Sequence, residues 1–156
     1  GSWDKQIDYD KFTNVSGNSR YDKSSDGNLI IKTAGYYTVT VDTKNETASI
    51  EPYTGTPTQH AAVFLAGDYN SWNVTSAGMS PVSTFTGAEN HNWTTTVTFN
   101  ADGEFKFSDG TVYWGGSDFP YGTASTIGGK NKYSAGTYTV FFNDIIGQFY
   151  FIAADN

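Results

Sequence analysis

One stretch of this chain returns 101 residues later with five of its nine residues unchanged. Residues 33–41 read TAGYYTVTV and residues 134–142 read SAGTYTVFF. Ala34, Gly35, Tyr37, Thr38 and Val39 come back as Ala135, Gly136, Tyr138, Thr139 and Val140. The residues after each copy agree in kind: VDTKNETASIEPY and FNDIIGQFYFIAAD both read as a strand, a polar turn and a second strand. Upstream, Ser2-Trp3-Asp4 resembles Tyr113-Trp114-Gly115. A repeat of this length matches one sandwich domain, roughly 100 residues. The first copy starts near Trp3, so the chain is expected to begin inside a module. Residues 1–53 would be the C-terminal half of one β-sandwich repeat; the alternative is a small appendage that resembles the second copy by chance. Residues 54–60, TGTPTQH, would be a polar linker. Residues 61–156 would be one complete module.

Composition names the class of element. The chain holds two leucines, Leu29 and Leu65, against 21 Thr, 11 Tyr and 11 Phe. Helices are built from Leu, Ala, Glu and Lys, whereas β-branched and aromatic side chains fit a pleated surface. In the second module AAVFLAG (61–67) is a short apolar run, and WTTTVTF (93–99) alternates with period two. EFKFSDG (104–110) and TVYWGG (111–116) read as a hairpin around a D-G turn. TYTVFFND (137–144) and QFYFIA (148–153) form another around Ile145-Ile146-Gly147. At least six strands without a helical stretch predict an all-β, immunoglobulin-like antiparallel sandwich. The Gly-, Ser- and Asn-rich segment 115–133 reads as its longest loop.

Several function classes drop out. Nine Lys+Arg against 16 Asp+Glu give a net charge of −7, which disfavours a nucleic-acid partner. No apolar run reaches membrane-spanning length. With no cysteine there is no thiolate nucleophile and no Cys-bound zinc. His60 and His91 sit in no metal or nucleophile motif and read as solvent-exposed loop histidines. Asp4, Asp8 and Asp10 are spaced like calcium ligands but lack the Gly and closing Glu of an EF-hand. A glycosidase needs two carboxylates flanking the bond. The module's acids (Asp68, Glu89, Asp102, Glu104, Asp109, Asp118, Asp144 and Asp155) fall mostly at turns. No catalysis, cofactor or metal is expected.

The cations are more informative. After Lys44 only Lys106, Lys130 and Lys132 remain. Lys106 lies on the strand FKF, eight residues before Trp114. Lys130 and Lys132 flank Asn131 in the long segment that Trp114 opens. Aromatic rings cover the C–H face of a pyranose, while Lys and Asn serve its hydroxyls. Trp72 closes the turn AGDYNSW near a rim, and Trp114 precedes two glycines that would leave its face open. Trp93 opens an alternating strand and reads as core. Trp3 is the counterpart of Trp114 in the first copy.

With these residues in view, VFLAGDYNSW (63–72) is similar to the opening of glycogen- and starch-binding modules. NWTTTVTFNADGEFKFSDGTVYWGG (92–116) looks like their next part. The module and its half-length twin resemble the tandem domains of SusE/SusF-type starch-binding lipoproteins, which end in an AG-Y-x-V pattern like those at 34–49 and 135–150. The resemblance implies non-catalytic binding of a starch-like α-glucan on the outer membrane of Bacteroidetes-type bacteria. It implies other glycan-uptake proteins as partners and a lipid anchor outside this chain. It implies that Trp72 and Trp114 stack on glucose and that Lys106 bonds hydroxyls. Tyr121, Lys130, Asn131 and Lys132 would contribute from the segment after Trp114. A spacer or protein-interaction domain without a working sugar site is the alternative.

Overall fold

A computed structural model describes residues 6–82 and 89–154. Trp3, Asp4 and Asp155 lie outside the described residues. The chain divides into two compact units, Gly1–Thr56 and Pro57–Asn156. Among the described residues every regular element is a strand or a short 3-10 turn, as the scarcity of helix formers dictates.

In the first unit, β1 (Tyr21–Lys23) pairs with β2 (Leu29–Ile31), and β3 (Tyr37–Asp42) with β4 (Thr47–Pro52). Val15, Tyr21 and Ile50 form a small core, with Phe12, Leu29 and Tyr37 against it. Asn14 binds the edge of β4 as another strand would. Its Nδ2 donates to the Ile50 carbonyl at 2.9 Å, and its Oδ1 accepts the Ile50 N–H at 3.1 Å. The Tyr21 hydroxyl donates to the same carbonyl at 3.1 Å. Among the described residues β3 pairs on one side only, and Val39 and Val41 are exposed.

The second unit is an antiparallel sandwich. β5 (Phe64–Gly67), β8 (Gly103–Ser108) and β11 (Asn131–Tyr133) form one sheet in the order β11-β8-β5, with β9 (Tyr113–Trp114) also on β8. β6 (Ser80–Pro81), β7 (Asn92–Phe99), β10 (Tyr121–Thr123), β12 (Gly136–Asn143) and β13 (Gln148–Ala153) form the other, ordered β10-β13-β12-β7-β6. Alternation sends Trp93, Val97, Phe99, Val140, Phe142, Phe149 and Phe151 inward from the larger sheet. Leu65, Phe105, Phe107, Trp114 and Tyr133 meet them from the smaller one. Two ring stacks tie the layers: Phe107 on Phe142 at 4.1 Å and Phe99 on Tyr133 at 3.8 Å. Each such buried ring contributes about 1.5–3 kcal/mol, so aromatic area replaces the missing leucines.

Segment 115–133 is not one loop, because it supplies β10 to the larger sheet and β11 to the smaller one. Its pairings are non-local, with Tyr121 opposite Tyr150 and Asn131 opposite Phe105, so local composition could not reveal them. The 101-residue repeat is repeated in geometry. Val39 pairs with Ile50 as Val140 pairs with Phe151, and Val41 with Ala48 as Phe142 with Phe149. Glu46 and Gly147, again 101 apart, both take a left-handed conformation in the turn, with φ of 54° and 75°.

Candidate functional site

The turn GDYNSW leaves β5 at Gly67. A Cβ there would stand 2.5 Å from the Glu104 carbonyl oxygen, so glycine lets the turn lie against β8. The Asn70 Oδ1 accepts the Gly67 N–H at 3.0 Å, and its Nδ2 donates to the Leu65 carbonyl at 3.0 Å. Ser71 and Trp72 then adopt left-handed backbones, φ 55° and 59°. This swings the half-buried indole of Trp72 back over Asp68. The Trp72 Nε1 donates to the Asp68 Oδ1 at 2.9 Å, while the Asp68 Oδ2 accepts the Glu104 N–H at 2.8 Å. One carboxylate thus fixes the indole to the sheet.

Lys130 completes the arrangement. Its Nζ stands 4.6 Å from the Trp72 ring centroid and 3.1 Å from the Glu104 Oε2. Lys132 faces Glu104 across the β8–β11 ladder and is exposed. The Asp68 carboxyl is held below the usual aspartate range. The Glu104 N–H contributes most, then the Trp72 indole; burial opposes them, and the Lys130 charge adds to the lowering.

Trp72, Lys130 and Lys132 therefore share one outer surface. Lys106, two residues from Glu104 on β8, leaves the sheet on that same face, but the remaining expected ligands do not join them. Trp114 is only 7% exposed. It pairs with the inward-facing Phe107 and so points inward too. The edge of His60 meets it at 5.3 Å, and Phe142 lies at 5.5 Å. The glycines after it serve a backbone crossing, not an open face. A Cβ on Gly115 would collide with the Gly129 carbonyl, and one on Gly128 with the Gly115 carbonyl. Lys106 lies beneath that crossing, where its Nζ donates to the Gly128 carbonyl at 2.7 Å. Asn131 is 1% exposed, turned inward by pairing with Phe105. Its Oδ1 accepts the Ser117 N–H at 2.7 Å. Tyr121 stands on the other sheet, stacked on Tyr150 at 5.4 Å.

The histidines are not exposed either. His91 is buried, with Nδ1 2.6 Å from the Asp144 Oδ1, and the Trp93 Nε1 donates to the other oxygen of that carboxylate at 2.7 Å. The His60 Nδ1 lies 3.0 Å from the Asp109 Oδ2. Each imidazole is a polar peg beside a core tryptophan. Among the described residues no three His, Cys, Asp or Glu groups converge to hold a metal ion. No helix there is long and apolar enough to cross a membrane.

Asp68 and Glu104 hold the indole and the ammonium, yet the sequence reads them only as two acids among eight, most of them at turns. The Asp in Gly-Asp-x-x-x-Trp, four residues before the ring it binds, is the signal that could have found the first of them.

No protein-family model and no curated protein matches this chain. A search of solved structures finds the crystal structure of SusF from Bacteroides thetaiotaomicron, with a TM-score of 0.48 and 15% sequence identity. The match takes in 83% of this chain but spans only 30% of the SusF chain. The likeness is one of fold.

Proposed function

We propose that the second unit is a non-catalytic binding module for a neutral polysaccharide, with a starch-like α-glucan as the ligand class. The observation that carries this reading is the clamped indole of Trp72, with the Lys130 ammonium over its ring and Glu104 and Lys132 on the same sheet face. A ring held by its own Nε1–H loses little freedom when a pyranose stacks on it. Lys130 and Glu104 bond each other in the free protein. Both can turn to sugar hydroxyls at small cost, because an exposed ion pair is worth little, about 0–1 kcal/mol. With Trp114 and Asn131 buried, one ring does the stacking and affinity is modest. In this reading the chain belongs to a surface-anchored glycan-uptake protein, supported by the motif resemblance at 63–72 and 92–116. Tandem modules there would raise avidity through effective concentration.

A specific observation favours a second reading. Trp114 lies in the core and the Lys106 ammonium is spent on Gly128, as expected of a spacer domain whose sugar site has lapsed. Titration calorimetry with maltoheptaose separates the two. The binding reading predicts a dissociation constant near the millimolar range, about −4 to −5 kcal/mol, weakened at least tenfold in a folded Trp72→Ala variant. No heat at all, or heat unchanged by that substitution, would leave the spacer reading.

A further inference from the structure

The outer face of the larger sheet carries threonines at its centre: Thr94, Thr96 and Thr98 on β7, Thr137 and Thr139 on β12. A row of rings crosses that face. Tyr121 pairs with Tyr150, Tyr150 with Phe141, and Phe141 with Thr94, so three rings stand side by side on adjacent strands. They are 58%, 50% and 38% exposed respectively. Exposed apolar area gathered into a row calls for an occupant, whereas scattered single residues do not.

A second row, of amides, runs beside the first. Asn92 pairs with Asn143, and Gln148 opens the next strand. Two residues along a strand separate the rows, about 7 Å, which is close to the width of one pyranose ring. Between them lies a groove of about 310 Å³ that Val82 and the backbone of β7, β12 and β13 help to line. The amides are oriented. The Asn143 Oδ1 accepts the N–H groups of Ile145 and Ile146, each at 3.1 Å. Its Nδ2 donates to the Asn92 Oδ1 at 2.9 Å. The Asn92 NH₂ is thereby left to donate into the groove, with exposed Gln148 two strands away, beyond Asn143. Among the described residues no charged side chain lines the groove.

We infer that this groove is a second saccharide-binding site, independent of Trp72, that takes a neutral pyranose-based oligosaccharide across β7, β12 and β13. Phe141 and Tyr150 meet the C–H surface of the sugar, and Asn92 and Gln148 meet its hydroxyl edge. On a chain of net charge −7, a groove whose described lining carries no charge selects a neutral occupant over a cationic or anionic one. The site shares a ligand class with the proposed function but no residue with it.

The test is a ¹H–¹⁵N titration of the full chain with maltoheptaose and, separately, cellohexaose. The expected result is that the side-chain NH₂ signals of Asn92 and Gln148 shift with at least one probe. They shift equally in Trp72→Ala, and the affinity read from them falls at least tenfold in Tyr150→Ala. Gln148→Ala, an exposed change that spares the fold, gives the same loss at Asn92 if Tyr150→Ala does not fold. The Trp72 indole N–H reports the other site, so failure of one reading leaves the other visible. No shift at Asn92 and Gln148 with either sugar overturns the inference. So does a shift that follows protein concentration without sugar, because that identifies the occupant as a second copy of the chain.

Discussion

Trp72 and Trp114 carry the same side chain to opposite ends, and their immediate partners decide which. Trp72 is held at the surface by Asp68, while Trp114 is drawn inward by its pairing with Phe107. Trp114→Ala therefore empties a core position. It should cost about 3–5 kcal/mol of stability, read as a lowered urea midpoint, whether or not sugar binds. The Asp68 carboxyl has a pKa below its ordinary value. Its hold on the indole is whole above the unfolded-state pKa and is lost as pH falls through the lower folded-state value. The Trp72 indole N–H resonance should stay fixed from neutral pH down through the usual aspartate range and move only below it. Movement already at about pH 5, above the ordinary aspartate value, would mean that Asp68 does not hold the ring.

At the scale of elements, the two repeated hairpins make a matched pair. Gly147 occupies a left-handed turn position where an added Cβ would collide with the Ala124 carbonyl oxygen, whose own residue donates to the Gly147 carbonyl at 2.8 Å. Glu46 already tolerates the same backbone region in the first copy. Gly147→Ala should thus lose at least the ~1–2 kcal/mol of a non-glycine left-handed residue, and more from the clash. Glu46→Gly should change stability by less than about 1 kcal/mol. Equal effects in denaturant unfolding would show that the two turns are not equivalent. These hairpins were legible in the sequence because their strands are adjacent in the chain and joined by short turns. The assignments of Trp114, Asn131 and Tyr121 were not. Each depends on a partner strand's register, with Phe107, Phe105 and Tyr150 setting which side the residue faces. A one-residue difference in register reverses that side. Tyr150 could have been found, since Phe149 and Phe151 flank it and period-two alternation sends it outward.

At the scale of the molecule, the second unit is an aromatic-cored sandwich that leaves the outer faces of both sheets lined by polar and aromatic side chains. Its two sheets carry different side-chain chemistry on their outer faces. The smaller holds one indole with charged neighbours, and the larger holds a row of rings with neutral amides. Two weak sites on one module retain a polymer far better than either alone, provided that both can engage it. The most direct test is retention of the intact chain on insoluble amylose. The account predicts that the unaltered chain is held and released by free maltoheptaose. Trp72→Ala and Tyr150→Ala should each be held less, and the folded double variant should pass straight through. A double variant held as firmly as the unaltered chain, or an unaltered chain that is never held, would contradict it.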